Sequence, residues 1–82
     1  MSFRHLRVGD KVTRLLSAVP MPLVVTQVSD TEIKCGLSLD VTDPGSLWTF
    51  DRETGVEIDE DLGWGPAHGV TGSVLQEQQT IN

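Results

Sequence analysis

The stretch "WTFDRETGVEIDEDLGWG", residues 48–65, holds both tryptophans and half of the acids of an 82-residue chain. Carboxylates packed around a turn and bracketed by large aromatics fit three arrangements: a calcium loop, a groove for a basic peptide, or a hairpin with a solvated acidic face. The calcium reading fails on spacing. An EF-hand loop takes oxygen ligands at positions 1, 3 and 5, glycine at 6 and glutamate at 12. Counted from Asp51, glycine arrives at position 5 and Leu62 stands at position 12. A solvated acidic face is the reading that ligand geometry leaves, with Thr49, Asp51, Glu57 and Asp59 turned to solvent.

Other chemistry lacks its parts. Zinc takes three or four Cys and His ligands, usually in paired spacings. Cys35, His5 and His68 are scattered, so no metal site and no cofactor is assigned. Cys35 and His68 as nucleophile and base would need the thiol exposed. Cys35 instead runs in phase with Ile33 on a short apolar stretch, where a thiol acts as a small hydrophobe. No glycine-rich loop leads into a helix, so no phosphate cradle is present. No catalytic residue emerges, and a non-enzymatic protein is expected.

Large aromatics carry binding energy when partly exposed. Trp48 and Phe50 alternate with polar residues and belong to a core face. Trp64 sits between Gly63 and Gly65, outside the alternating runs, and both core and interface stay open for it. The candidate interface is therefore Trp64 with the basic Arg4 and Arg7 and the acidic Glu57, Asp59, Glu60 and Asp61.

Charge is divided along the chain. The net charge is −6, yet residues 1–28 sum to +3 and residues 29–82 to −9. Nonspecific nucleic-acid binding rests on many Lys and Arg neutralising phosphates, so the total argues against it. Only the basic N-terminal segment supports such a role, as a nucleic-acid-associated regulator. Hydrophobic residues are 38% and charged residues 22%, a globular composition. The single cysteine fits a reducing, cytoplasmic setting. Residues 18–25, broken by Pro20 and Pro22, are too short to span a membrane, and the N-terminus has no signal-peptide pattern.

The elements that position these residues read as strands. Gly and Pro punctuate the chain every eight to twelve residues, a spacing of small sandwiches and barrels. Lys11-Val12-Thr13-Arg14-Leu15 alternates as a first strand, and residues 17–20 break it. In "MPLVVTQV" the change of parity at Val28 predicts a bulge near Thr26 and Gln27. "SDTE" is a turn, "EIKCG" a short strand, and residues 36–47 an exposed loop. "DRETG" predicts a tight hairpin with Gly55 left-handed, and Val56 and Ile58 sharing one face. The glycines around Trp64 let the ring fold back across a barrel end. After Ala67 the tail predicts a short strand or helical turn at "GSVL", and frayed last residues.

Val8-Gly9-Asp10-Lys11-Val12, then Pro20-Met21 leading "LVV", then Ile33-Lys34-Cys35 before an aromatic strand resembles small bacterial proteins of the YodC-like type. The resemblance covers about residues 6–60; the loop 36–47 and everything after Asp61 depart from it. It implies a KOW- or SH3-like small barrel and no activity. The expected fold is all-β: a five-stranded antiparallel SH3-like barrel over residues 1–66, with a C-terminal extension over 67–82. The expected function is a small non-enzymatic binding or adaptor module. Self-association is expected as well, because a chain this short buries only about 60% of its unfolded surface.

Overall fold

Strands form where the sequence alternates, and the computed structural model, which describes residues 3–77, contains six of them. They are β1 (Lys11–Leu16), β2 (Val19–Val28), β3 (Glu32–Gly36), β4 (Trp48–Asp51), β5 (Glu57–Ile58) and β6 (Ser73–Glu77). All pair antiparallel in one sheet of order β5-β4-β3-β2-β1-β6. The sheet curls until its two edges approach, where Val56 bridges Val74 and the Leu75 N–H donates to the Gly55 carbonyl at 2.6 Å. The protein is thus a curled half-barrel with six strands rather than the five expected. The sixth comes from the segment expected as an extension, and it lies along β1 from Leu16↔Ser73 to Val12↔Glu77. A strand was one of the two forms expected at "GSVL". The fraying expected at the C-terminus falls in residues 78–82, outside the described residues.

The turn between β1 and β2 has only two central residues, Ser17 (φ +50°) and Ala18 (φ +67°). Two positive φ values match the right-handed strand twist that two-residue hairpins require. β2 then starts earlier than expected and accommodates Pro20 and Pro22. Both lie at alternate positions of the β1 register, opposite Leu15 and Thr13. With Leu16↔Val19 closing the turn, those are positions whose N–H faces away from β1. β3 does not reach that far along β2, since its pairing stops at Val24↔Gly36. The missing N–H groups therefore cost no ladder bond. Further along, the register with β3 shifts between Val25 and Gln27, the bulge that the parity change predicts.

One face of the curled sheet turns inward. Val12, Leu23, Val25, Ile33, Cys35, Phe50 and Leu75 form the core, with Leu6 added from the N-terminal segment. Each aliphatic or aromatic side chain among them contributes about 1.5–3 kcal/mol through burial. The N-terminal segment is tied down rather than free. Phe3 donates its N–H to the Arg52 carbonyl, and its ring lies over Gly55. Arg52 returns the tie by donating to the carbonyls of Arg4 at 2.9 Å and Ser29 at 2.6 Å.

Candidate docking cleft

Two turns of one design shape the acidic region. In Asp51-Arg52-Glu53-Thr54-Gly55-Val56 the Asp51 N–H donates to the Val56 carbonyl. Asp51 Oδ1 meanwhile accepts from the N–H groups of Glu53 and Thr54. In Asp59-Glu60-Asp61-Leu62-Gly63-Trp64 the Asp59 N–H donates to the Trp64 carbonyl, and Asp59 Oδ1 accepts from Asp61 and Leu62. An aspartate that holds backbone donors two and three residues on is a turn-former. Gly55 (φ +77°) and Gly63 (φ +70°) are left-handed, as the first hairpin predicts for Gly55. So Asp51 and Asp59 hold turns together.

Glu57 lies between the turns and corrects the expected solvated face. Its side chain is 4% exposed. The hairpin register sets Glu57 opposite Phe50, and so on the inward face, while Ile58 lies opposite Thr49. Reading Val56 and Ile58 as the core face of this strand placed the acid on the wrong side. Arg14 compensates the buried charge, since it follows Val12 at period two and also faces inward. Arg14 Nε donates to Glu57 Oε1 at 2.7 Å, and Ser73 Oγ donates to the same oxygen at 2.5 Å. The Arg14 guanidinium carbon sits 5.8 Å from the centre of the Trp48 ring, a cation–π distance. Sequence reasoning missed this cluster of Arg14, Glu57, Ser73 and Trp48.

Trp64 is half-buried. Its ring lies against Gly72, where an added Cβ would come within 2.1 Å of Cδ2, so that position has room only for glycine. Trp64 also lines a cleft of about 280 Å³ with Ile58, Asp51, Glu60, Gly65, Pro66, Ala67 and His68. A 3-10 turn, Pro66–His68, builds one wall and ends at left-handed Gly69. It brings His68 Nε2 to 3.0 Å from Glu60 Oε2. The cleft therefore has an aromatic and aliphatic lining with two carboxylates. Leu62 and Val70, both exposed, belong to the same pair of loops.

The remaining candidates disperse. Arg4 pairs with Glu53 at 3.2 Å, and His5 pairs with Glu77. Much of the basic N-terminal half is thus matched to acids inside the chain. Arg7, Lys11 and Asp61 are exposed and make no ion pair among the described residues. Cys35 is fully buried, and burial pushes its thiol up to about 12. Cys35, His5 and His68 do not converge, and no cluster of three or more metal-ligating side chains occurs among the described residues. None of the described helices is long and apolar enough to cross a membrane. No protein-family model, curated protein or solved structure matches the chain.

Proposed function

We propose that the protein is a small non-enzymatic binding module, an SH3-like barrel in its finer architecture, that docks a protein partner, a second copy included, at the Trp64 cleft. The observation that carries this reading is the cleft itself. It combines a partly exposed tryptophan, the residue type that most often carries interface affinity, with an aliphatic neighbour and with carboxylates that would fix specificity and orientation. The groups that would otherwise do chemistry are occupied: Glu57 by Arg14 and Ser73, Asp51 and Asp59 by their own turns. Cys35 is held neutral in the core, away from any substrate.

The charge layout favours protein over nucleic acid. Of the basic N-terminal residues, Arg14 is spent inside the sheet and Arg4 on Glu53, which leaves Arg7 and Lys11. Two cations on a chain of net charge −6 release few counterions from a phosphate backbone. Sedimentation velocity over a range of concentrations tests the reading. Self-association is expected, weakened by Trp64→Ala more than by added salt, because screened rim charges contribute little. A wild-type monomer throughout the micromolar range rejects docking of a second copy. An Ellman's-reagent titration tests the absence of thiol chemistry: native Cys35 stays unreactive at pH 8 and reacts once the chain is denatured. A fast native reaction would reopen the enzymatic reading.

A further inference from the structure

We infer that the occupant of the Trp64 cleft is the Arg7–Lys11 turn of a second copy, so that subunits join head to tail. The inference rests on the self-association reading and specifies its contact. The cleft asks for a cation with an apolar neighbour: its lining combines Trp64 and Ile58 with Asp51 and Glu60, each of which engages one oxygen within the chain, Asp51 Oδ1 with its turn and Glu60 Oε2 with His68, and offers the other. Among the described residues that combination occurs once. Arg4, Arg14 and Arg52 are engaged with Glu53, Glu57 and backbone carbonyls, and Lys34 donates to Thr49 Oγ1. Arg7 and Lys11 are exposed, lack an ion-pair partner among the described residues, and flank Val8, which is 58% exposed.

The turn that carries them is rigid enough to act as a fixed knob. The Arg7 N–H donates to Asp10 Oδ2, the Asp10 N–H to the Arg7 carbonyl, and the Gly9 N–H to the Val25 carbonyl in the sheet. A preformed turn loses little freedom on docking, which favours affinity. A guanidinium or ammonium over Trp64 gains a cation–π contact, and the carboxylates add charge-assisted hydrogen bonds. Both elements belong to one chain, yet no ion pair joins them within it. A knob and a socket on different parts of one surface make a heterologous contact, which propagates unless the rotation closes a ring.

Two surface variants test the inference by complementation. Glu60→Arg disables the socket and keeps the knob; Arg7→Glu with Lys11→Glu disables the knob and keeps the socket. All three positions are exposed, so both variants retain the wild-type circular dichroism spectrum and melting curve. Each alone is expected to self-associate at least about tenfold more weakly than wild type, the scale of losing one strong interface contact. Mixed at equal concentration, they are expected to form a one-to-one dimer that grows no further, because one good knob meets one good socket. A synthetic peptide of residues 6–11 is expected to dissociate the wild-type assembly. If the variants self-associate like wild type, or their mixture stays monomeric while wild type assembles, the knob-and-socket contact is wrong and self-association stands. A wild-type monomer whose tryptophan fluorescence responds to an unrelated arginine peptide, a response lost in Trp64→Ala, instead overturns the second copy as occupant and leaves the binding module standing.

Discussion

The two aspartate-led turns, residues 51–56 and 59–64, share a backbone design and differ in what surrounds it. In each, an aspartate carboxylate gathers two N–H groups and a glycine turns left-handed four residues on. At the first turn Gly55 is buried: Phe3 packs on it, with its Cε2 2.5 Å from where a Cβ would sit, and the Gly55 carbonyl accepts from Leu75. At the second, Gly63 has nothing within 4 Å of that point. Local sequence sets the turn, and distant chain decides its use. The first turn fastens the N-terminal segment and β6 to the hairpin. The second is left open and supports the cleft.

Glu57, on the strand between the turns, tests whether both depend on a common base. Glu57→Ala leaves the largely covered Arg14 without its anion and is expected to cost up to about 3–5 kcal/mol, the range for breaking one side of a buried pair. Denaturant titration measures it, and a loss below about 1 kcal/mol, the range of exposed pairs, would show the pair to be solvated. Replacing Arg14, Glu57 and Ser73 together by apolar residues of similar volume is expected to recover most of that loss. Next in size is the contrast between glycines. Gly63→Val carries the left-handed penalty alone, about 1–2 kcal/mol. Gly55→Val adds to that same penalty of about 1–2 kcal/mol the displacement of Phe3, so its melting temperature falls further. Equal shifts in the two variants would erase the distinction between the turns.

Smaller effects sharpen it. Asp51→Ala and Asp59→Ala each remove a side-chain acceptor of two N–H groups, a loss resembling that of a helix cap, about 0.5–2 kcal/mol. The Asp51 change is expected at the upper end of that range, because its turn holds Phe3 and Leu75 as well. Asp61→Asn is expected to move stability by no more than about 0.5 kcal/mol, since Asp61 is exposed and its side chain holds no partner among the described residues. The burial of Cys35 adds a dependence on alkaline pH. The thiol ionises at its ordinary value of 9.0 in the unfolded chain and at about 12 in the folded one. The unfolded chain therefore loses its proton first, and stability is expected to fall as pH rises from 9 to 12. Cys35→Val should flatten that decline in a melting series; an unchanged slope would mean that the thiol is not the group responsible.

Local signals in the sequence located most of the fold. Gly55, the bulge beside Gln27, and the core phase of Ile33, Cys35 and Phe50 each depend on neighbours within a few residues. Glu57 was not legible for the opposite reason: its partner Arg14 lies 43 residues away, and an acid next to Ile58 reads as solvent-facing. A signal was present in Arg14, since a cation in phase with Val12 demands an inward anion somewhere. The repetition of "DRETGV" by "DEDLGW" eight residues later is a further local signal, one that marks the second turn as a copy of the first. For Trp64 the sequence left core and interface open, and its position accounts for that: the ring covers Gly72 and lines the cleft.

The pairing of β1 with β6 has a kinetic consequence. Val12 and Glu77 are opposite each other although most of the chain separates them, so their contact must wait for a large loop to close. The β1–β2, β2–β3 and β4–β5 hairpins need only short loops and are free to form first. Loop-closure entropy is spent before that last ladder returns any enthalpy, which puts folding in the millisecond-to-second range typical of barrels rich in non-local pairs. In the native protein the sequence of events runs backwards. Amide protons of Leu75 and its strand neighbours are expected to exchange as a group, through an opening that detaches β6 while β2 and β3 stay protected. The strand that closes the sheet is then also the place where it first comes apart.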